Sequence, residues 1–253
     1  MWATPATFTG IRRRLEAAGY TTHAPELPFH DRDPAAPPAA ELATLGLEDY
    51  IACLAAEIAR LPGPVIVAGH SLGGFLAQAV AARVGAAGLM LFAPAATATI
   101  NVPALAPLRT MAGVVTRNGW WRSPTRIAAA SAKWGIFNGV PDDIAAAEIA
   151  GLVWDSGRVL FEMALPFIAK SAAFNVDYGR LDMPALVIAG GSDRITPAAI
   201  ARATARHLSG PVDYHELART GHWLWWGSVE ERVGKLVESW LATNFPARLD
   251  SFA

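Results

Sequence analysis

One cysteine, Cys53, in 253 residues excludes an internal disulfide and any metal centre built on clustered thiolates. It stands in an apolar helical pattern and is expected to be a small core residue. An excess of charge of either sign is also lacking. With 21 basic and 22 acidic residues the formal net charge is −1, which gives no electrostatic case for nucleic acid or an anionic membrane as partner. Arg12, Arg13 and Arg14 form the one tight basic cluster, and a solvated helix face accounts for it. No apolar run approaches the ~20 residues needed to cross a bilayer, so no integral membrane segment is expected. A secretory signal peptide is missing too, and the expected location is the cytoplasm. Internal repeats and low-complexity tracts are absent beyond a general alanine bias. His23, His30 and His207 share no ligand spacing, so neither a metal nor a cofactor is expected.

Apolar residues are abundant. They make up 53% of the chain, with a mean hydropathy of +0.27, a composition that suits one α/β domain whose sheet is buried on both faces.

Along the chain, residues 5–18 have helical spacing, with Pro5 suited to a first turn and Phe8, Ile11 and Leu15 on one stripe. Tyr20 to Ala24 reads as a short strand, followed by a Pro/Ala-rich loop through Pro38. A helix follows over 47–61, then an apolar β-branched strand at 65–68, a helix reaching about Val84 and a buried strand at 88–92. Strand, helix and strand in this order predict a parallel sheet with right-handed crossovers. From 94 to 178 no segment reads as a sheet strand, and aromatics recur at Trp120, Trp121, Trp134, Phe137, Trp154, Phe161, Phe167 and Phe174. The alternation resumes with strands at 184–190 and 212–217 and helices at 197–207 and 229–241. The expected organisation is a core of residues 1–93 and 179–253 with a helical cap, 94–178, inserted between two strands.

Between the strand at 65–68 and the helix after it lies Gly69-His70-Ser71-Leu72-Gly73, a G-x-S-x-G turn. Glycines two residues either side of a serine permit a sharp turn without a Cβ clash, and the turn lifts the hydroxyl above the sheet. It also leaves N–H groups at the helix start free to meet a developing oxyanion. A serine hydroxyl is a weak nucleophile at neutral pH, so Ser71 needs a base, and the base needs an orienting acid. Both are sought just beyond strand ends, because sites in open α/β sheets lie at the carboxyl edge. Asp193 follows one strand, with Asp177 and Asp182 as rival acids. His222 follows another, with His215, inside a strand pattern, as the rival base. His70 is next to the serine but on a tight turn, and packing is its expected role. Trp225 and Trp226 are expected to pack below the His222 loop, and the cap aromatics to form chiefly the cap's own core.

The elbow Gly69-His70-Ser71-Leu72-Gly73-Gly74, the acid turn Gly190-Gly191-Ser192-Asp193-Arg194-Ile195-Thr196-Pro197 and the histidine turn Thr220-Gly221-His222-Trp223 resemble those of the α/β-hydrolase fold superfamily, especially its small serine esterases and lysophospholipase-like members. The resemblance runs over nearly the whole chain. It implies that Ser71 attacks an acyl carbonyl, His222 shuttles the proton, Asp193 holds the imidazole and the Leu72 backbone N–H serves an oxyanion hole. The implied reaction is hydrolysis, through an acyl-enzyme, of an ester, thioester or lactone of a hydrophobic acyl or aromatic substrate. The same triad on this fold also serves carbon–carbon hydrolysis and cofactor-free haloperoxidation, and a hydrolase-like chain without catalysis would act as a ligand-binding protein. In the family the sheet begins with further strands, one ending in a His-Gly motif. Met1-Trp2-Ala3-Thr4-Pro5 looks like the residues after that motif, so the expectation is a core lacking its N-terminal strands. Either the natural start lies upstream and Met1 is an internal residue whose N–H completes the oxyanion hole, or the chain stands as given with weakened catalysis.

Overall fold

A computed structural model describes residues 1–100, 102 and 106–246. Four strands form one parallel sheet: β1 (Ile66–His70), β2 (Gly88–Phe92), β5 (Ala185–Gly190) and β6 (Val212–Leu217), in the spatial order β1-β2-β5-β6. The two central strands are buried along their whole length. Alternation decides which face each side chain serves. Leu89, Leu91, Val187 and Ala189 join a core with α2 (Leu47–Ile58), α3 (Leu72–Val84) and α9 (Ala198–His207). Met90, Phe92, Leu186 and Ile188 join a second core with α1 (Thr9–Ala17) and α10 (Gly227–Asn244). The α1 and α10 helices are tied at their surface by Arg14, which holds Glu238 with two guanidinium nitrogens.

Helices begin where the sequence places caps and punctuation. Thr4 accepts a hydrogen bond from the Ala6 N–H ahead of a short 3₁₀ turn, Pro5–Phe8, that leads into α1. Asp49 accepts from the Gly46 N–H at the start of α2. The α3 helix is apolar nearly all round because it is packed between the sheet and α2, and its small alanines permit that approach.

Two expectations fail here. Tyr20 to Ala24 is not a strand: one edge of β1 carries no strand among the described residues, and an extended segment without a ladder partner has no hydrogen bonds to hold it in a sheet. Tyr20 is anchored instead by its hydroxyl, which donates to the Phe245 carbonyl at 2.9 Å. Cys53 is half-buried and not in the core, and burial pushes its thiol pKa up.

The segment between β2 and β5 supplies α4 (Ala106–Val115), β3 (Pro124–Thr125), α5 (Ala129–Gly135), α6 (Asp142–Ala150), β4 (Asp155–Ser156), α7 (Gly157–Ala164) and α8 (Pro166–Ala169). The β3–β4 ladder, two residues long and antiparallel, was not foreseen from the sequence. At its end Asp155, fully buried, accepts from the Trp2 N–H at 2.9 Å, the Tyr50 hydroxyl at 2.8 Å and the Ser156 N–H at 2.7 Å. His30 Nε2 lies 3.3 Å from its Oδ2, a charge contact whose angle falls short of a hydrogen bond. One carboxylate therefore fastens the insert to the chain start, the proline-rich loop and α2.

Candidate active site

Ser71 occupies the junction of β1 and α3 with φ +57° and ψ −122°, a conformation that is strained for a residue with a Cβ. The surroundings hold it there. Its N–H donates to the Phe92 carbonyl at 3.0 Å, and its carbonyl accepts from the Gly74 and Ala95 N–H groups, each at 2.9 Å. The turn closes because residue 69 lacks a side chain: a Cβ there would lie 1.9 Å from the Gly73 carbonyl oxygen. A Cβ on Gly73 itself would meet nothing within 4 Å, so the second glycine of the motif is not required by packing and faces open space. The Leu72 and Gly73 N–H groups open α3 and have no intrahelical acceptor, which leaves two donors next to the serine.

Asp193 and His222 meet. His222 Nδ1 is 2.7 Å from Asp193 Oδ2, and both residues are buried. A carboxylate only accepts, so the histidine donates from Nδ1 and keeps a lone pair on Nε2. The other carboxylate oxygen, Oδ1, accepts from the Ile195 N–H at 2.7 Å and the Thr196 N–H at 2.8 Å, which fixes the plane of the acid. The loops after β5 and β6 reach each other because Gly190 lets them: a Cβ there would fall 2.1 Å from the Gly221 carbonyl. His70, one residue before the serine, lies with its ring centroid 4.7 Å from that of His222, and its Nε2 is 3.0 Å from the His222 carbonyl. Burial, with His222 beside it, pushes the His70 pKa well down. It is thus a neutral donor that braces the histidine loop, in keeping with the packing role expected for it. Ser71 Oγ makes no hydrogen bond among the described residues. The link from His70 and the shared contacts with the segment after β2 bring the serine to the same sheet edge as the Asp193–His222 pair.

The rival residues are occupied elsewhere. His215 pairs with Asp213 on the outer strand β6, Asp177 caps the Gly179 N–H, and Asp182 is exposed beside a turn. Trp225 packs below the histidine loop, its ring 5.8 Å from His70 and 5.0 Å from Phe92. No group of metal-binding side chains occurs among the described residues. Two surface hollows, of about 280 and 140 Å³, lie between α1 and α10 and beside Trp120 of the insert; neither is lined by Ser71, Asp193 or His222.

Two residues of the site escaped the sequence reading. Thr196 Oγ1 lies 3.0 Å from Asp193 Oδ2, 2.9 Å from the Ala93 carbonyl and 3.2 Å from His222 Nδ1. Its signal was a hydroxyl three residues after the acid, which is also the spacing of an ordinary turn. Asn138, at the end of the α5 segment, donates from Nδ2 to the Ser192 carbonyl at 2.9 Å, and a Cβ on Gly221 would lie 2.1 Å from its backbone oxygen. Nothing in the sequence marks it. Thr196→Val is expected to lower kcat about tenfold, the worth of one hydrogen bond to the acid, with little change in KM. Steady-state kinetics with a soluble ester would check this, and an unchanged kcat would mean that the backbone alone orients Asp193.

A family model described as the alpha/beta hydrolase family matches residues 1–235. Among solved structures, a pyrethroid hydrolase from Sphingobium faniae JZ-2 superposes with a TM-score of 0.62 at 20% identity, covering 97% of this chain and 95% of that one. A methylesterase from Arabidopsis gives 0.67 at 11% identity, covering 94% of each chain. A monoacylglycerol lipase from Paleococcus ferrophilus gives 0.61 at 17% identity, covering 96% of this chain and 91% of that one. At these identities the likeness is one of fold. No curated protein matches the sequence.

Proposed function

The chain belongs to the alpha/beta hydrolase family, and from that premise we propose that it is a serine hydrolase cleaving an ester, thioester or lactone of a hydrophobic acyl or aromatic substrate. The observation that carries this reading is the 2.7 Å bond between His222 Nδ1 and Asp193 Oδ2 at the sheet edge where Ser71 stands in its strained turn. Ser71 Oγ adds to the acyl carbonyl carbon as its proton passes to His222 Nε2, and Asp193 steadies the resulting imidazolium. The Leu72 N–H meets the oxyanion, with the Met1 backbone nitrogen as the second donor. Collapse breaks the bond to the alcohol or thiol, which leaves with the proton from His222. A water then repeats the addition and releases the acid. Residues 94–178 act as the cap over this site, and their inward aromatics, Phe137 against Trp223 among them, favour apolar acyl groups over sugars or phosphates.

A fluorophosphonate probe tests the reading directly. It is expected to add to the peptide carrying Ser71 with loss of fluoride, and p-nitrophenyl esters are expected to turn over faster as the acyl chain grows from acetate. Folded protein that stays unmodified at Ser71 would favour a ligand-binding role.

A further inference from the structure

Six large hydrophobic side chains are exposed among the described residues, and five of them, Leu108, Trp121, Leu165, Phe167 and Ile168, belong to the insert. Isolated exposed apolar residues are ordinary on any protein, whereas a gathered patch marks a contact surface. These are gathered. The Trp121 ring lies 6.3 Å from that of Phe161 on α7, Leu165 stands one helical turn beyond Phe161, and α8 follows at once with Phe167 and Ile168. The α4 helix, which carries Leu108, packs against the Trp120–Arg122 turn. Phe167 is 89% exposed and Ile168 68%, so neither contributes much to the insert's own packing. The α8 helix is a single turn, opened by Pro166 and closed by Lys170 at φ +50°, and it forms a knuckle too short to bury a face.

The stretch of chain that leads to and past Trp121 carries charge of one sign. Between 94 and 141 there are five cations, Arg109, Arg117, Arg122, Arg126 and Lys133, and no Asp or Glu, an imbalance hidden by the near-neutral total. Lys133 pairs with Asp142, Arg126 donates to the Pro34 carbonyl, and Arg109 lies over the Trp134 ring. Arg117, Arg122 and Lys170 are exposed and take part in no ion pair among the described residues. The acid of α7, Glu162, is buried and turned inward to the Leu47 N–H and Arg158. Two of these exposed cations adjoin the apolar residues along the chain: Arg122 follows Trp121, and Lys170 closes the turn of Phe167 and Ile168.

We propose that this face of the insert docks on an anionic lipid surface, with Trp121, Leu165, Phe167 and Ile168 entering the acyl boundary and Arg117, Arg122 and Lys170 meeting headgroup phosphates. Apolar insertion and electrostatic attraction are each weak alone and add when they share one surface. A second copy of the chain is the poorer occupant, because a two-fold contact through this face would set like charges against each other. No helix among the described residues is long and apolar enough to cross a membrane, so the contact is with the surface. It is independent of the chemistry at Ser71.

Cosedimentation with vesicles tests the proposal. Wild type is expected to bind phosphatidylcholine vesicles containing phosphatidylglycerol at least about tenfold more tightly than phosphatidylcholine alone, and the difference should shrink as salt shortens the Debye length. Phe167→Ser/Ile168→Ser and Arg122→Glu/Lys170→Glu are each expected to lose about tenfold in binding to the anionic vesicles. Both should hydrolyse a soluble short-chain ester at the wild-type rate. Equal binding of wild type to the two vesicle types, or binding that survives both double substitutions, overturns the proposal. So does a concentration-dependent dimer that Phe167→Ser/Ile168→Ser dissolves in the absence of vesicle binding, which would assign the face to a second copy.

Discussion

Ser71→Ala is expected to cut kcat for a p-nitrophenyl ester by a factor on the order of 10⁶, and Asp193→Asn by about 10⁴. On the proposed mechanism the first change removes the atom that forms the acyl-enzyme. Combining it with His222→Ala should cost little more, since base and nucleophile act as one unit. The second change is the finer test, because it keeps the shape of the acid. The amide oxygen of the substituted residue can still accept from the Ile195 and Thr196 N–H groups, which now hold Asp193 Oδ1. Its NH₂ then faces His222 Nδ1, where Oδ2 stands at 2.7 Å. That nitrogen must accept, the ring proton moves to Nε2, and no lone pair remains to take the serine proton. Raising the pH should not restore the rate, and thermal stability should stay close to that of wild type. An Asp193→Asn protein with near-normal kcat would show that Asp193 is a structural acid.

The second large effect is on stability. Asp155→Ala is expected to cost about 3–5 kcal/mol, read as a lower denaturant midpoint at unchanged slope. The loss exceeds that of one hydrogen bond because four groups converge on this carboxylate, and truncation leaves the Tyr50 hydroxyl and the Trp2 N–H buried without a partner and removes the charge facing His30 Nε2. Tyr50→Phe removes a single bond and should cost about 1 kcal/mol. The pair with His30 adds a pH signature. Burial works against the His30 cation, but the attraction of the Asp155 carboxylate outweighs it, and its pKa is raised. The carboxylate of Asp155 is pushed down despite its own burial, with His30 as the chief opposing influence. A histidine with a raised pKa contributes fully below its unfolded value of about 6.5 and loses that contribution as pH climbs through the folded value. A depressed carboxylate contributes above about 4 and loses its contribution only in stronger acid. Wild type and His30→Gln should therefore differ most near pH 5–6 and converge in alkali. A difference that stays constant with pH would mean that His30 is held neutral.

What could be read in the sequence was whatever lies close together along the chain. The elbow occupies five consecutive residues, and the acid and histidine turns sit one after each of two apolar strands, so period and punctuation located them without any knowledge of contacts. The strands at 88–92 and 212–217 have those bounds in the structure, and β1 extends past the anticipated 68 to His70, directly up to the serine. Tyr20 to Ala24 misled because strand character is a property of side chains, whereas a strand also needs a neighbour. The buried carboxylate network was invisible because its members stand at positions 2, 30, 50 and 155, and Asp155 in isolation resembles any turn acid. Asn138 was missed for the same reason: its partners are backbone groups more than 50 residues away.

The contacts of Asn138 and Asp155 limit how the insert can move. One end is moored to the loops that carry Asp193 and His222, through the Ser192 carbonyl and the close approach at Gly221, with the Trp223 N–H donating to the Ile136 carbonyl alongside. The other end is moored at the buried carboxylate, far along the chain in β4. A swing of the whole insert about its junctions with β2 and β5 would pull on the acid and the base together. The loops that carry Asp193 and His222 and the stretch from Asn138 to Asp155 are therefore tied into one unit.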